Sequence, residues 1–266
     1  MALKRAGYAV TGWNRSERPI KYALENKIID SRAESFDCDV VFVALPPSAT
    51  VQFIDTQIFK DGCIVADICG VKKVIEDSVF SQPRNFNYVG CHPMAGKEVS
   101  GIENACADLF DNANMIITRS DKTDTSSLDV IRKLAAEMGF KCIVECSAET
   151  HDKKIAYTSQ LAHIVSNAYV KNKEIDGCLG FTGGSFQDMT RIAGVDEEVW
   201  SELYLKNSGN LAESIKSLID ALSDLKGAIE EGDRQLLTGL LQGGRQSYEN
   251  CKNFVTDTDI IVKNLK

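Results

Sequence analysis

The first half of the chain alternates between two hydrophobic patterns. Largely apolar runs of strand length occur at residues 8–13, 39–45, 63–69, 88–91, 114–118 and 141–145. Between them, apolar residues recur with helical spacing over 19–27, from Ser48, from Val71, from Ser100 and over 126–138. Buried strands that alternate with amphipathic helices are typical of a parallel sheet with helices on both faces. We therefore predict an α/β domain, with Gly7 closing an initial helix and Ser48 capping a later one.

The pattern changes near residue 146, beyond which helical spacing dominates to the end of the chain. Ser147 is placed to cap a long helix that runs to about Asn172. Apolar residues also recur at helical spacing between Leu211 and Val255, with a break near Gly232. We predict two domains, an α/β domain over 1–146 and an all-α domain over 147–266, with no strand in the second.

Composition narrows the classes of function. The 266 residues carry a formal net charge of −8, which disfavours nucleic acid and anionic membranes as partners. No apolar stretch reaches the roughly 18 residues of a membrane span, and no signal peptide is evident. The nine cysteines include no C-x-x-C pair, which indicates free thiols in a reducing cytoplasm and no metal site.

One loop carries the strongest candidate for chemistry. The run from Tyr88 to Cys91 ends at His92-Pro93, and a loop containing Gly96 and Gly101 follows. Ligands bind at the carboxyl ends of strands in open parallel sheets, and histidine exchanges protons near neutral pH. His92 is therefore a candidate catalytic residue, although a lone His-Pro pair is more often an ordinary loop.

The string His-Pro-Met-Ala-Gly, followed by Glu98 and by Ser100-Gly101, resembles the signature of the prephenate dehydrogenase family. The resemblance implies a Rossmann-like domain followed by a helical domain that forms a homodimer. It also implies NAD- or NADP-dependent oxidative decarboxylation of prephenate to 4-hydroxyphenylpyruvate, in tyrosine biosynthesis. His92 would accept a proton from the substrate hydroxyl, and Glu98 would lie on the substrate side. Arogenate is the alternative substrate.

A second motif opens the helical domain. His151-Asp152, Ala156 and the residues up to His163 resemble the HD-x-x-x-A-x-x-SHLPH helix of the family. Gln160 replaces the first histidine of SHLPH, and Ala162 replaces its proline. Gln160 and His163 fall near one helix face, so the resemblance implies that both bind substrate. Taken alone, each is more often a structural polar residue.

A third motif runs from Gly183 to Ala193 and is similar to the family's GGGF-x-D-x-TRIA segment. Arg191 would bind a substrate carboxylate through two parallel hydrogen bonds, and Asp188 would position or gate it. A surface Asp–Arg pair would look the same in the sequence. We expect Trp200 to be a packing residue.

The cofactor motif is incomplete. The sequence has no G-x-G-x-x-G turn, and the resemblance places the first strand and this turn before Met1. The strand tip Asn14-Arg15-Ser16, with Arg18 nearby, has no acidic residue and slightly favours NADP over NAD. Leu45, Pro46 and Gly70 should line the same crevice, with Gly70 where the family often has serine. Two alternatives remain: a shortened, non-catalytic dimer, and a β-hydroxyacid dehydrogenase-like enzyme, which leaves the His-Pro string unexplained.

Overall fold

The computed structural model describes residues 1–97, 99, 101–255 and 263–264. Its strands are β1 (Thr11–Gly12), β2 (Ser31–Arg32), β3 (Val40–Val43), β4 (Ile64–Asp67), β5 (Asn87–Pro93), β6 (Asn114–Thr118), β7 (Cys142–Cys146) and β8 (Lys263–Asn264). β1 and β2 form a separate parallel pair, and β3 to β8 form a six-stranded sheet in chain order. The six apolar runs therefore all contain strands, of which only the first is much shorter than predicted.

The sheet is not wholly parallel. β3, β4 and β5 pair in parallel, as do β6, β7 and β8, but β5 and β6 pair antiparallel, with His92 opposite Ile116. The predicted helix from Ser100 is also wrong, because residues 101–113 contain only a 3₁₀ turn at Ile102–Asn104. A parallel connection needs a crossover along the length of the sheet, usually a helix, so the two errors have one cause.

Helices cover both faces of the sheet. The α/β domain contains α1 (Ala2–Arg5), α2 (Glu17–Glu25), α3 (Pro47–Thr56), α4 (Lys73–Val79) and α5 (Thr125–Glu137). Consecutive residues of β4 point to opposite faces. Val65 joins the hydrophobic core that includes Ile54 and Ile75, whereas Ala66 joins the core that includes Ile131. Each face therefore has its own apolar core.

Two predicted helix ends have different outcomes. Gly7 follows α1 with φ +89°, in the left-handed region that glycine tolerates, so this prediction is confirmed. The predicted cap at Ser48 is wrong, because α3 begins at Pro47 and Pro46 occupies the capping position. Ser48 instead donates its backbone N–H to Oε1 of Glu202 at 2.6 Å, which ties α3 to the helical domain.

The helical domain begins as predicted. The hydroxyl of Ser147 accepts the N–H of Thr150 and caps α6 (Ala148–Ile155), which continues through a π-helical turn (Ala156–Gln160) into α7 (Leu161–Tyr169). The remaining helices are α8 (Gly184–Thr190), α9 (Glu197–Lys206), α10 (Ser208–Glu230) and α11 (Arg234–Val255).

The break at Gly232 separates α10 from α11 as predicted. The expectation that no strand follows residue 146 is wrong, since β8 pairs with β7. Among the described residues, no helix is long and apolar enough to cross a membrane.

Candidate active site

His92 lies near the carboxyl end of β5 and is half-buried. Burial lowers the pKa of its imidazole well below the ordinary value of 6.5, and the neighbouring His151 and Lys72 lower it further. The side chain is therefore neutral at physiological pH. A neutral histidine has one nitrogen with a free lone pair, so His92 can accept a proton from a bound hydroxyl.

His151 contacts His92 directly. Nε2 of His151 lies 2.9 Å from Nδ1 of His92, and Nδ1 of His151 lies 2.7 Å from Oδ1 of Asp152. The two oxygens of Asp152 also accept the backbone N–H groups of Lys72 and Lys73, at 2.8 and 3.0 Å. The start of the helical domain is thereby joined to the α/β domain at the catalytic candidate.

The sequence placed His151 and Asp152 in a motif but gave neither a role in the site. The available signal was a His-Asp pair in the first turn of a helix that follows the last strand of the α/β domain. Nothing in the sequence shows that this turn meets the end of β5, because His151 and His92 are 59 positions apart.

Lys72 anchors the strand that carries His92. It is fully buried, forms an ion pair with the equally buried Asp67 and donates to the carbonyl oxygen of Cys91 at 2.6 Å. The hydroxyl of Tyr88 donates to the other oxygen of Asp67 at 2.6 Å. This network connects β4, β5 and the loop before α4 directly beside the imidazole.

Gly70 lies beside His92. A Cβ built at Gly70 would lie 3.9 Å from Cε1 and Nε2 of His92 and 3.5 Å from Cδ2 of Leu203. Leu45 and Pro46 follow β3 as Gly70 follows β4, and β3 to β5 are parallel. The carbonyl oxygen of Leu45 accepts from Thr50 and from Cys69, next to Gly70. These predicted cofactor residues and His92 therefore lie on one edge of the sheet.

The other predicted cofactor residues lie between β1 and α2. Asn14 donates to the carbonyl oxygen of Ser16 at 3.3 Å, and Arg15 is exposed. Arg18 forms an ion pair of 2.7 Å with Glu103, from the segment that follows β5. Arg18 is therefore already engaged by a carboxylate, whereas the exposed Arg15 is the cation at the strand tip.

Gln160 does not face an open cleft, contrary to the sequence-based expectation. Its side chain is 2% exposed, its Oε1 accepts from Asn207 at 2.8 Å and its Nε2 donates to the carbonyl oxygen of Leu203 at 3.4 Å. Asn207 also donates to the carbonyl oxygen of Asp152. The π-helical turn ends at Gln160, and both polar atoms of its amide have partners within the chain.

His163 and Arg191 lie near each other. Nδ1 of His163 is 3.1 Å from the carbonyl oxygen of Ile192, and its ring packs on Trp200 with centroids 3.9 Å apart. The pKa of His163 is lowered by burial, and the charge of Arg191 lowers it further. Arg191 follows α8 directly and is exposed, as is Asp188 on that helix. Trp200 thus packs on a candidate substrate residue. Glu98 lies outside the described residues.

Comparison with known proteins decides the family. Residues 1–144 match the model of the prephenate dehydrogenase nucleotide-binding domain, and residues 147–243 match that of the prephenate dehydrogenase dimerization domain. The chain belongs to the prephenate dehydrogenase family. This confirms the predicted family and the order of a Rossmann-like domain followed by a helical dimerisation domain. It also favours this family over the β-hydroxyacid dehydrogenase alternative.

Individual relatives agree with the family assignment. The chain is 28% identical over 254 residues to a prephenate dehydrogenase of Bacillus subtilis, covering 89% of this chain and 68% of the relative. A prephenate dehydrogenase from A. aeolicus, solved with hydroxyphenyl propionate and NAD⁺, superposes with a TM-score of 0.82 at 28% identity, over 93% and 92% of the two chains. An arogenate dehydrogenase from Synechocystis superposes with a TM-score of 0.76 at 25% identity, over 93% and 94%.

Proposed function

We propose that this chain catalyses the oxidative decarboxylation of prephenate to 4-hydroxyphenylpyruvate with NAD or NADP. The observation that carries the proposal is the neutral imidazole of His92 at a strand end, with Gly70, which has no side chain, next to its Nε2. Family membership and the relatives with named activities support the same reaction. The reaction belongs to tyrosine biosynthesis.

His92 would handle one proton. As the hydride leaves the ring carbon that bears the hydroxyl, the imidazole accepts the hydroxyl proton, and loss of carbon dioxide then makes the ring aromatic. The proton returns to the ring oxygen, so the reaction consumes no net proton. General base catalysis of this kind typically contributes about 10²–10⁴-fold to the rate. The base has to be unprotonated at neutral pH, and burial keeps His92 in that state.

Arg191 would bind a carboxylate of the substrate, and His163 would lie beside it. An exposed guanidinium near a half-buried histidine suits a dianionic ligand, since Arg191 stays charged at all physiological pH values. Asp188, three residues earlier on α8, would limit the positions of Arg191. Glu98 is proposed on the substrate side from the sequence motif alone. The buried hydrogen bonds of Gln160 weaken its case as a ligand.

The residues at the sheet edge would contact the nicotinamide ring. Gly70 carries no side chain next to His92, and Leu45 and Pro46 carry no charged group. A bound NAD or NADP would supply the hydride acceptor. Asn14, Arg15 and Ser16 would contact the adenosine ribose, and the exposed Arg15 keeps the slight preference for NADP. The nearby Arg18 forms an ion pair with Glu103 that is exposed and therefore weak, so a phosphate could compete for it.

We also infer a homodimer through the helical domain. Large apolar side chains are exposed on its two longest helices, namely Ile219, Leu222, Ile229, Leu236 and Leu241. The match to a dimerisation domain supports their burial against a second copy. The nine cysteines are all free, which suits the reducing cytoplasm proposed from the sequence.

Activity assays with each combination of two substrates and two cofactors test the proposal. The purified chain is mixed with prephenate or arogenate and with NAD or NADP, and reduced nicotinamide is followed by absorbance. We expect turnover of prephenate, with His92→Asn lowering kcat about 10²-fold or more. The matched control, Lys216→Ala on an exposed turn of α10, keeps the parental kcat. Turnover of arogenate alone would favour the alternative substrate. No turnover and no cofactor binding by calorimetry would favour a non-catalytic dimer.

A further inference from the structure

We propose that His151 and Asp152 are positioning residues that hold His92 in its Nδ1–H tautomer and so leave Nε2 as the proton acceptor. The inference rests on the proposed role of His92 and adds two residues to it. It follows from hydrogen-bond directions along one chain of contacts, from Asp152 through His151 to His92.

The donor and acceptor of each hydrogen bond can be assigned starting from Asp152. A backbone N–H can only donate, and the two carboxylate oxygens accept from Lys72 and Lys73. Oδ1 is also 2.7 Å from Nδ1 of His151. An oxygen that already accepts from one group has a second lone pair, so Nδ1 of His151 donates to it. The carboxylate therefore places the proton of His151 on Nδ1.

The hydrogen bond between His151 and His92 then determines the tautomer of His92. His151 is 1% exposed, and burial keeps its imidazole neutral by lowering the pKa. With its one proton on Nδ1, its Nε2 can only accept. The partner at 2.9 Å is Nδ1 of His92, which must therefore donate. A neutral His92 that carries its proton on Nδ1 has its lone pair on Nε2.

The Nε2 atom that carries the lone pair lies next to Gly70. A Cβ built at Gly70 would lie 3.9 Å from this Nε2, and among the described residues none forms a hydrogen bond with it. The opposite tautomer would place two lone pairs against each other between the two rings. Gly70 offers no hydroxyl to His92, so the contact with His151 on the Nδ1 side is the one that orients the ring.

The tautomer can be measured without any substrate. The chain has three histidines, so protein labelled with ¹⁵N-histidine gives three imidazole spin systems in a two-bond ¹H–¹⁵N correlation spectrum. The variants His92→Asn and His163→Asn assign them. We expect protonated Nδ1 and unprotonated Nε2 signals for both His92 and His151. An Nε2–H tautomer, or an averaged mixture, at His92 overturns the inference.

Two substitutions of His151 give a matched kinetic test. His151→Phe keeps the ring volume but removes both nitrogens, whereas His151→Gln retains an acceptor that can reach Nδ1 of His92. We expect His151→Phe to lower kcat about 10²- to 10⁴-fold with little change in KM, because losing the tautomer removes general base catalysis. His151→Gln should recover most of the loss. Equal losses in both variants, or an unchanged kcat in His151→Phe, overturn the inference.

The two measurements separate this inference from the proposed function. If the chain turns over neither substrate but shows the Nδ1–H tautomer at His92, the proposed function fails and the positioning arrangement stands. If it turns over prephenate with His92 as the Nε2–H tautomer, the positioning inference fails and the function stands. Circular dichroism of both His151 variants shows whether they fold, and the tautomer of His92 is then compared only between folded proteins.

Discussion

Lys72 and Asp67 form an ion pair from which solvent is excluded, since both side chains are 0% exposed. Two charges taken out of water are stable only when both are present and further bonded. Here Lys72 also donates to Cys91, and Asp67 accepts from Tyr88. The pair therefore ties the loop before α4 to the strand of His92, and its removal should be costly.

Lys72→Met should lower the free energy of unfolding by about 3–5 kcal/mol, because it leaves the Asp67 carboxylate buried without a cation. Urea denaturation measures the change. The neighbouring Lys73 provides the control, since its ion pair with Asp77 is exposed and Lys73→Met should cost at most about 1 kcal/mol. The double variant Asp67→Asn/Lys72→Met should lose less than the sum of the single variants. Equal losses for Lys72 and Lys73 would contradict the buried pair.

The pH dependence of turnover should show no loss of the base near 6.5. The pKa of His92 is lowered by burial, by His151 and by Lys72, so the imidazole stays unprotonated as the pH falls through 6.5. The acid limb of kcat/KM should therefore lie clearly below pH 6.5, at the depressed pKa. Steady-state kinetics between pH 5 and 9 test this, with stability followed in parallel to exclude unfolding. An acid limb at or above 6.5 would contradict the assigned protonation state.

Glu76 should make stability depend on pH in a predictable direction. Burial and the nearby Glu149 raise its pKa from 4.5 to about 7, with Asp77 and Asp152 adding to the rise and Lys73 opposing it. The folded state therefore binds this proton more tightly, so its contribution to stability is present at low pH and is lost as the pH rises through about 7.

Glu76→Gln removes the carboxyl group that ionises, so the variant should not lose stability at this position as the pH rises. The variant should gain about 1–3 kcal/mol relative to the parent at pH 8 and gain little at pH 4. Urea denaturation at both pH values measures the difference. Glu213→Gln, on an exposed position of α10, is the control and should show no such dependence. A gain of the same size at both pH values would mean that the charge of Glu76 is not the cause.

Gly90 packs against the buried side chains of Lys72 and Tyr88, and the Cβ of an alanine should not fit there. A Cβ at Gly90 would overlap Oγ1 of Thr118 and lie 3.2 Å from Cδ of Lys72 and from the hydroxyl of Tyr88. Gly90→Ala should cost about 1–3 kcal/mol through overpacking, and should lower kcat because the strand of His92 shifts. Gly209→Ala, which has open space in α10, should be neutral or stabilising. Thermal denaturation and steady-state kinetics of both variants test this. If Gly90→Ala is as stable and as active as Gly209→Ala, the close packing at Gly90 is contradicted.

Gln160 offers a direct test of a structural against a ligand-binding role. Gln160→Leu removes the partner of Asn207, and the lost buried hydrogen bond should cost about 1–3 kcal/mol. We expect KM for prephenate to change less than about threefold, whereas Arg191→Lys should raise it because lysine cannot form the two parallel bonds. A KM increase for Gln160→Leu as large as that for Arg191→Lys would restore the ligand role implied by the motif.

The sequence predicted the elements whose signals are local. β6 was predicted at 114–118 and is found there, and Ser147 caps its helix, because run length and a capping hydroxyl are properties of neighbouring residues. The parallel direction predicted for β6 was wrong, since apolar runs look alike in parallel and antiparallel pairs. The missing helix after Ser100 goes together with the antiparallel pairing of β5 and β6, because only a parallel pair needs a long crossover between its strands.

The candidate site shows the same division. His92 could be found from its motif and from its place after an apolar run, but His151 could not be joined to it without the packing of α6 against the sheet. The burial of Gln160 could not be predicted because regular helical spacing was assumed, whereas a π-helical turn changes which face its side chain occupies; its role in substrate binding stays a prediction. Glu98 stays a prediction from the motif.

The antiparallel pairing of β5 and β6 bears on how such a site can diversify. The backbone N–H of Met94 donates to the carbonyl oxygen of Asn114 at 2.8 Å, so the segment 94–113 leaves and rejoins the sheet at nearly the same point. Its length is not set by the need to cross the sheet. Insertions, deletions or exchange between homologues within 94–113 can therefore change the chain that follows His92 while β5 and the imidazole at its end stay in register with β6.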